Sequence, residues 1–213
     1  MKTDELIALL ASDTSPIAKR SVSLRLAIVA LAALALAFGV LVAWLGMRPD
    51  LAAAMHTSAY WMKTFYTLGL ALAGFALVER LSRPGVSGQA GALLLSACLL
   101  AIVGLASLQL MRTPAEEMSS AMMGSSWDRC PWRILALSLP GLVVVLAAMR
   151  RFAPTKPALA GAGAGIFIGG IAATVYGLYC EETAAPFVAI WYSLGIALSG
   201  LLGAVAGARV LRW

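Results

Sequence analysis

Residues 157–198 read PALAGAGAGIFIGGIAATVYGLYCEETAAPFVAIWYSLGIAL. Two long apolar runs meet there at a break whose only charges are Glu181 and Glu182. A helix rising 1.5 Å per residue needs about 20 apolar residues to cross the roughly 30 Å hydrocarbon core of a bilayer. Both runs meet that length, so the stretch reads as a transmembrane hairpin. Outward from it, four more segments qualify, giving Leu24–Met47, Ala59–Val78, Gly88–Met111, Trp132–Met149, Ala158–Cys180 and Phe187–Leu211. The fourth carries Pro140, which a membrane helix tolerates as a kink. With 61% hydrophobic and 12% charged residues in a chain of 213, little remains for a soluble domain. The reading is all-α: a polytopic membrane bundle of six transmembrane helices over residues 24–213, preceded by a short cytoplasmic N-terminal segment, 1–23. The first apolar run starts too late and runs too long for a cleaved signal peptide.

The formal net charge of +6 is topological. With the N-terminus inside, the inner segments hold Lys2, Lys19, Arg20, Arg25, Arg80, Arg83, Arg150, Arg151, Lys156, Arg209 and Arg212. The outer segments hold Arg48, Lys63, Arg112, Arg129 and Arg133. Such a positive-inside bias places both termini in the cytoplasm and makes membrane lipid, not nucleic acid, the neighbour of the basic residues.

Segment 1–23 contains KTDELIALLASD. Thr3 is a suitable N-cap, and Asp4 and Glu5 favour the first turn. Leu6, Ile7, Leu9 and Leu10 form an apolar face, and Pro16 ends the helix. So short a helix is marginal alone in water. It needs either the membrane surface or a protein groove, and its acidic polar positions favour the protein.

Small residues recur every fourth position at Gly161, Gly165, Gly169, Ala173 and Gly177, and again at Gly195, Ser199, Gly203 and Gly207. Such stripes let helix backbones approach closely in lipid, so the last two helices are expected to form a tight antiparallel hairpin. Cys180, three residues beyond Gly177, is then expected to point into protein. Trp44, Tyr60, Trp61, Trp127, Trp132, Tyr176, Tyr179, Phe187, Trp191 and Tyr192 gather near the outer helix ends. Either an interfacial belt or a packed cluster around the outer cysteines explains them.

Chemistry is scarce. His56 is the only histidine, no metalloprotease, esterase or phosphate-loop motif is present, and mid-membrane ionisable groups are nearly lacking, with Lys63 and Gln109 near helix ends. Enzyme and transporter readings both lose ground. Cys98 reads as a small buried residue inside the third helix. Cys130 and Cys180 fall at the outer ends of the fourth and fifth helices, in a compartment that permits disulfides. A structural disulfide, a redox or metal-responsive thiol pair, and unrelated thiols all remain open. The disulfide would close a loop of about 50 residues and contribute roughly 4 kcal/mol. For the metal form, Cys130 and Cys180 are the candidate ligands, with Asp128, Glu181, Glu182 and His56 as auxiliaries for a soft or borderline ion.

The N-terminal KTDELIALLASD, WDRCPWR at 127–133, the run 150–204 and the final RVLRW together resemble the NrsF-like negative regulators of sigma-F, over essentially the full length. The resemblance implies a six-span inner-membrane anti-sigma factor, not an enzyme. No cofactor is expected to be obligatory, and a transient soft metal ion is the one candidate. The resemblance also implies that an extracytoplasmic-function sigma factor is held at the membrane, with Leu6, Ile7, Leu9 and Leu10 in the contact. It further implies release when periplasmic metal or oxidative stress acts on Cys130 and Cys180. A membrane thiol oxidoreductase, a small metal or solute transporter and a scaffold subunit are the rival readings.

Overall fold

The computed structural model describes Thr3, Glu5 and residues 19–83, 86–152 and 154–212. Leu6, Ile7, Leu9 and Leu10 lie outside these residues. Among them the chain forms eight helices and no strand: α1 Lys19–Trp44, α2 Leu51–Ala54, α3 Ser58–Leu81, α4 Gln89–Arg112, α5 Ala115–Met123, α6 Cys130–Met149, α7 Pro157–Tyr176 and α8 Ala185–Val210. Six of them (α1, α3, α4, α6, α7 and α8) are long and apolar enough to cross a membrane. Short connections force successive spans to run antiparallel, so the start of α1 and the end of α8 share one end of the bundle. The turn that carries Cys180 lies at the other, hereafter the cysteine end.

The boundaries differ from the sequence reading where local chemistry intervenes. The fifth span ends at Tyr176 rather than Cys180. Beyond it the coil tightens, with the amides of Leu178 and Tyr179 donating to carbonyls three residues back. Cys180 still donates its amide to the Tyr176 carbonyl at 3.0 Å, so the cysteine is fixed to the helix end without belonging to the helix. Pro186 then sits in the first turn of α8, where its missing N–H costs nothing. Inside α8 the segment Val188–Tyr192 forms a π turn.

α7 is the centre of the bundle. Seventy-two per cent of its membrane window is buried inside the protein, against 17% for α4, which lies at the edge. The glycine stripe explains this position. A Cβ at Gly161 or Gly165 would strike the backbone of α8 at Gly203 or at Ser199 and Gly200, and one at Gly203 would meet Gly165 Cα at 3.0 Å. On the opposite face, a Cβ at Gly170 would meet the amide nitrogen of Ala71 in α3 at 2.6 Å. The expected α7–α8 hairpin is present, and α3 packs against α7 by the same small-residue device. Hydroxyls bridge the spans at several points: Thr174 donates to Thr67 at 2.8 Å, Ser23 donates to Glu79 at 2.6 Å, Tyr66 and Ser193 lie 2.6 Å apart, and Ser138 and Ser199 3.0 Å apart.

Two apolar clusters fill the interior. One, toward the termini, includes Leu26, Val29, Val78, Val145, Met149 and Phe167. The other, at the cysteine end, includes Tyr66, Cys130, Tyr176, Cys180, Phe187 and Tyr192.

Replacing Gly165 with leucine is expected to separate α7 from α8 and lower stability by about 1–3 kcal/mol or more, as overpacking does. Gly104→Ala, where no heavy atom approaches the added Cβ, is expected to be neutral or slightly stabilising. Thermal unfolding of the two variants in detergent checks the contrast.

Candidate functional site

Cys130 opens α6, and Cys180 sits in the turn between α7 and α8. Both are free thiols, 0% and 3% exposed, and they pack in one cluster with Tyr176, Phe187 and Tyr192. The Tyr176 and Tyr192 rings are 5.7 Å apart between centroids, and Phe187 lies edge-on to Tyr192 at 6.5 Å. Both tyrosine hydroxyls are buried beside the thiols, Tyr176 facing Cys130 and Arg133 and Tyr192 facing Cys180, without a well-formed hydrogen bond among the described residues. Both lie within electrostatic reach of the two thiols.

The aromatic residues therefore divide between the two explanations. Tyr176, Phe187 and Tyr192 form the packed cluster, while Trp44, Trp61, Trp127 and Trp132 stay exposed as an interfacial belt would.

Around the cluster, polar groups from nearly every connection at this end converge on the turn 177–184. Lys63, near the start of α3, donates to the carbonyls of Cys180 at 2.8 Å and Glu182 at 3.1 Å. Its ammonium lies 5.6 Å from the centre of the Tyr192 ring. The residue is only 3% exposed, and among the described residues no carboxylate pairs with it. Arg48, just after α1, reaches the Cys180 carbonyl at 3.4 Å, and its amide donates to the Leu178 carbonyl at 3.2 Å.

The Arg48 guanidinium also grips Asp50 with two 2.6 Å hydrogen bonds. That fork raises the arginine above its usual range against the opposing effect of burial, and it holds the Asp50 carboxyl below its own. At neutral pH the pair is therefore fully charged.

Glu182 points toward the α5–α6 loop. Its carboxylate accepts from the Ser125 amide at 2.7 Å and the Ser125 hydroxyl at 2.8 Å. Gly124, at φ +55°, makes this approach possible, since a Cβ there would meet the carboxylate at 2.6 Å. Gln109, at the end of α4, accepts from the Ala185 amide at 2.8 Å, and Trp191 donates to the Met122 carbonyl at 2.9 Å. Arg133 stacks over Tyr179 at 5.2 Å. Between these groups a cleft of about 300 Å³ opens, bordered by Arg48, Arg133, Tyr176, Cys180, Glu181 and Glu182.

Of the residues singled out from sequence, Cys130 and Cys180 come together. Glu182 is adjacent but committed to Ser125, Asp128 is exposed beside Arg129 at 3.3 Å, and Glu181 is exposed at the cleft. His56 is exposed in the α2–α3 loop. Among the described residues no three His, Cys, Asp or Glu side chains gather as a metal-ligand set. The two thiols alone can form one disulfide or offer two soft ligands. The sequence reading assigned no site role to Lys63, Arg48, Arg133, Gln109, Gly124 and Ser125, although it placed Lys63 and Gln109 near helix ends. A signal for three of them was present: Arg48, Lys63 and Arg133 belong to the minority of cations that run against the positive-inside bias.

A family profile described as "Negative regulator of sigma F" matches residues 10–213. The chain belongs to the NrsF family. An anti-sigma-F factor from Caulobacter vibrioides (strain NA1000 / CB15N) is 44% identical over 222 residues, covering 100% of both chains. A probable anti-sigma-F factor from Azospira oryzae (strain ATCC BAA-33 / DSM 13638 / PS) is 35% identical over 213 residues, again covering 100% of both. No solved structure matches. Family membership agrees with the six-span bundle and with the resemblance read from the two chain ends and the cysteine segments.

Gly124→Ala is expected to strain the backbone and push the Glu182 carboxylate off Ser125, costing about 1–3 kcal/mol locally. Faster proteolysis of the 113–129 loop, with the helical content unchanged, is the measurement.

Proposed function

We propose that the chain is a membrane anti-sigma factor. It holds an extracytoplasmic-function sigma factor at the cytoplasmic face of the inner membrane and releases it when Cys130 and Cys180 react. The family description and the names of both full-length relatives support the regulatory class. The positive-inside bias favours a cytoplasmic terminal end and a periplasmic cysteine end. The observation that carries the sensor reading is the pairing of two buried free thiols, from α6 and from the α7–α8 turn, in one cluster remote from the termini.

In the periplasm a peroxide can oxidise the pair. The two thiols lose two protons and two electrons, an S–S bond forms as the O–O bond breaks, and hydrogen peroxide leaves as two waters. Capture of a soft metal ion with loss of both thiol protons is the second route. The lack of a third nearby donor among the described residues favours oxidation. Neither route requires a resident cofactor. Segment 1–23 grips the sigma factor as a helix in a groove, through Leu6, Ile7, Leu9 and Leu10. A tenfold release requires a coupling of only about 1.4 kcal/mol between the two faces, within the usual range for linked sites. The chain itself touches no nucleic acid, since its basic residues border anionic lipid.

Two outcomes follow. Cells carrying the Cys130→Ser, Cys180→Ser double variant are expected to hold sigma-dependent transcription at its resting level under peroxide or metal stress. Normal induction there would remove the sensor reading. Leu6→Asp combined with Leu9→Asp is expected to weaken co-purification of the sigma factor at least tenfold and to raise basal transcription, while membrane insertion is unchanged.

A further inference from the structure

An ionisable side chain within a membrane span is expensive and marks function by default, with its partner as the clue. Lys63 meets that description. Its charge is met by two carbonyls of a single turn and by one ring. If only packing were required, a methionine or leucine would fill the same space without the desolvation cost. A lysine whose compensation is two backbone carbonyls instead ties the position of α3 to the position of the Cys180 turn. When that turn moves, the ammonium must follow it or lose the two close acceptors it has among the described residues.

The far end of the same helix carries a second grip. Glu79 Oε1 accepts from the Ser23 hydroxyl at 2.6 Å and from Arg83 Nη2 at 2.6 Å. Ser23 lies in the first turns of α1, where segment 1–23 runs into the span, and α1 and α3 otherwise touch little, with an apolar groove between them. Lys63 and Glu79 are 16 residues apart on one helix, about 24 Å, close to the thickness of the hydrocarbon core. Between the grips, α3 meets α7 through Gly74, Gly163 and Gly170, together with the Phe75–Phe167 ring contact at 5.5 Å and the Thr174–Thr67 hydrogen bond. With the backbones this close, any movement of α3 is a small shear along α7.

We infer that Lys63 is the positioning residue that couples the Cys180 turn to the sigma-holding segment, with α3 acting as a rod between the Lys63–turn contact and the Glu79–Ser23 contact. This inference rests on the anti-sigma reading above, and deepens it by naming the element that carries the change across the membrane. Oxidation draws the Cys180 turn toward the start of α6 and takes the carbonyls of Cys180 and Glu182 away from Lys63; α3, no longer held at its outer end, shifts and withdraws Glu79 from Ser23. The base of segment 1–23 then loses its anchor.

The test is a sigma-dependent reporter in cells whose only copy of the chain is the variant, with membrane-fraction immunoblots to report its amount. Lys63→Gln is expected to raise unstressed transcription about tenfold, the response to a coupling of ~1.4 kcal/mol. Lys63→Arg, which keeps charge and donors, is expected to restore repression. Ser23→Ala and Glu79→Gln are expected to derepress with Lys63 intact, since they cut the rod at its other end. Lys63→Gln is also expected to derepress in the Cys130→Ser, Cys180→Ser background, because the lysine acts after the thiols.

A Lys63→Gln protein present at the wild-type amount with wild-type repression overturns the inference. If Lys63→Gln fails to accumulate, Ser23→Ala decides: repression unchanged at normal abundance also overturns it. A cysteine-less protein that still responds to stress would instead strike the sensor reading, leaving the Lys63 comparison interpretable.

Discussion

The bundle depends on one constraint, the approach of helix backbones to contact at α7. In lipid, apolar side chains gain nothing by leaving their surroundings for one another, so association must come from close packing and the few available hydrogen bonds. α7 meets that requirement with glycine and alanine on opposite faces, which brings α8 to one side and α3 to the other. The cost is a helix with few side chains able to carry chemistry. Function is therefore displaced to the helix ends, where α7 stops and the chain turns.

At the cysteine end the turn 177–184 is held by groups that come from every neighbouring connection. Arg48 follows α1, Lys63 opens α3, Gln109 closes α4, and Gly124 with Ser125 belongs to the α5–α6 loop. A turn restrained from so many directions has few ways to move, and those it has are shared with its partners. A displacement of the turn is therefore shared with the helices that hold it. The hydroxyls of Tyr176 and Tyr192 are buried beside the Cys130 and Cys180 thiols, with Arg133 also next to Tyr176.

Much of this was legible in the sequence. Hydropathy located all six spans, and the four-residue spacing of Gly161, Gly165 and Gly169 against Gly195, Ser199 and Gly203 foretold the α7–α8 hairpin. The placement of Cys130 and Cys180 at one end followed from counting spans between them. Boundaries were less legible. Residues 177–180 are apolar enough to extend the fifth helix, and only the tightening of the coil after Tyr176 shows that Cys180 belongs to a turn. The aromatic residues posed a choice between belt and cluster because a ring facing lipid and a ring facing a neighbouring helix have the same composition.

The sequence by itself determined that the chain has six segments able to cross a membrane, that its termini share one end, and that Cys130 and Cys180 share the other. These are consequences of length, hydropathy and charge, which are additive along the chain. The tertiary structure alone decided which polar groups meet the Cys180 turn. Lys63 bonds a carbonyl 117 residues away and Arg48 one 132 residues away. Contacts of that kind depend on how each helix is rotated about its axis and how deeply it sits against α7. Steric fit at the glycine faces sets both, and no count made along the chain contains them.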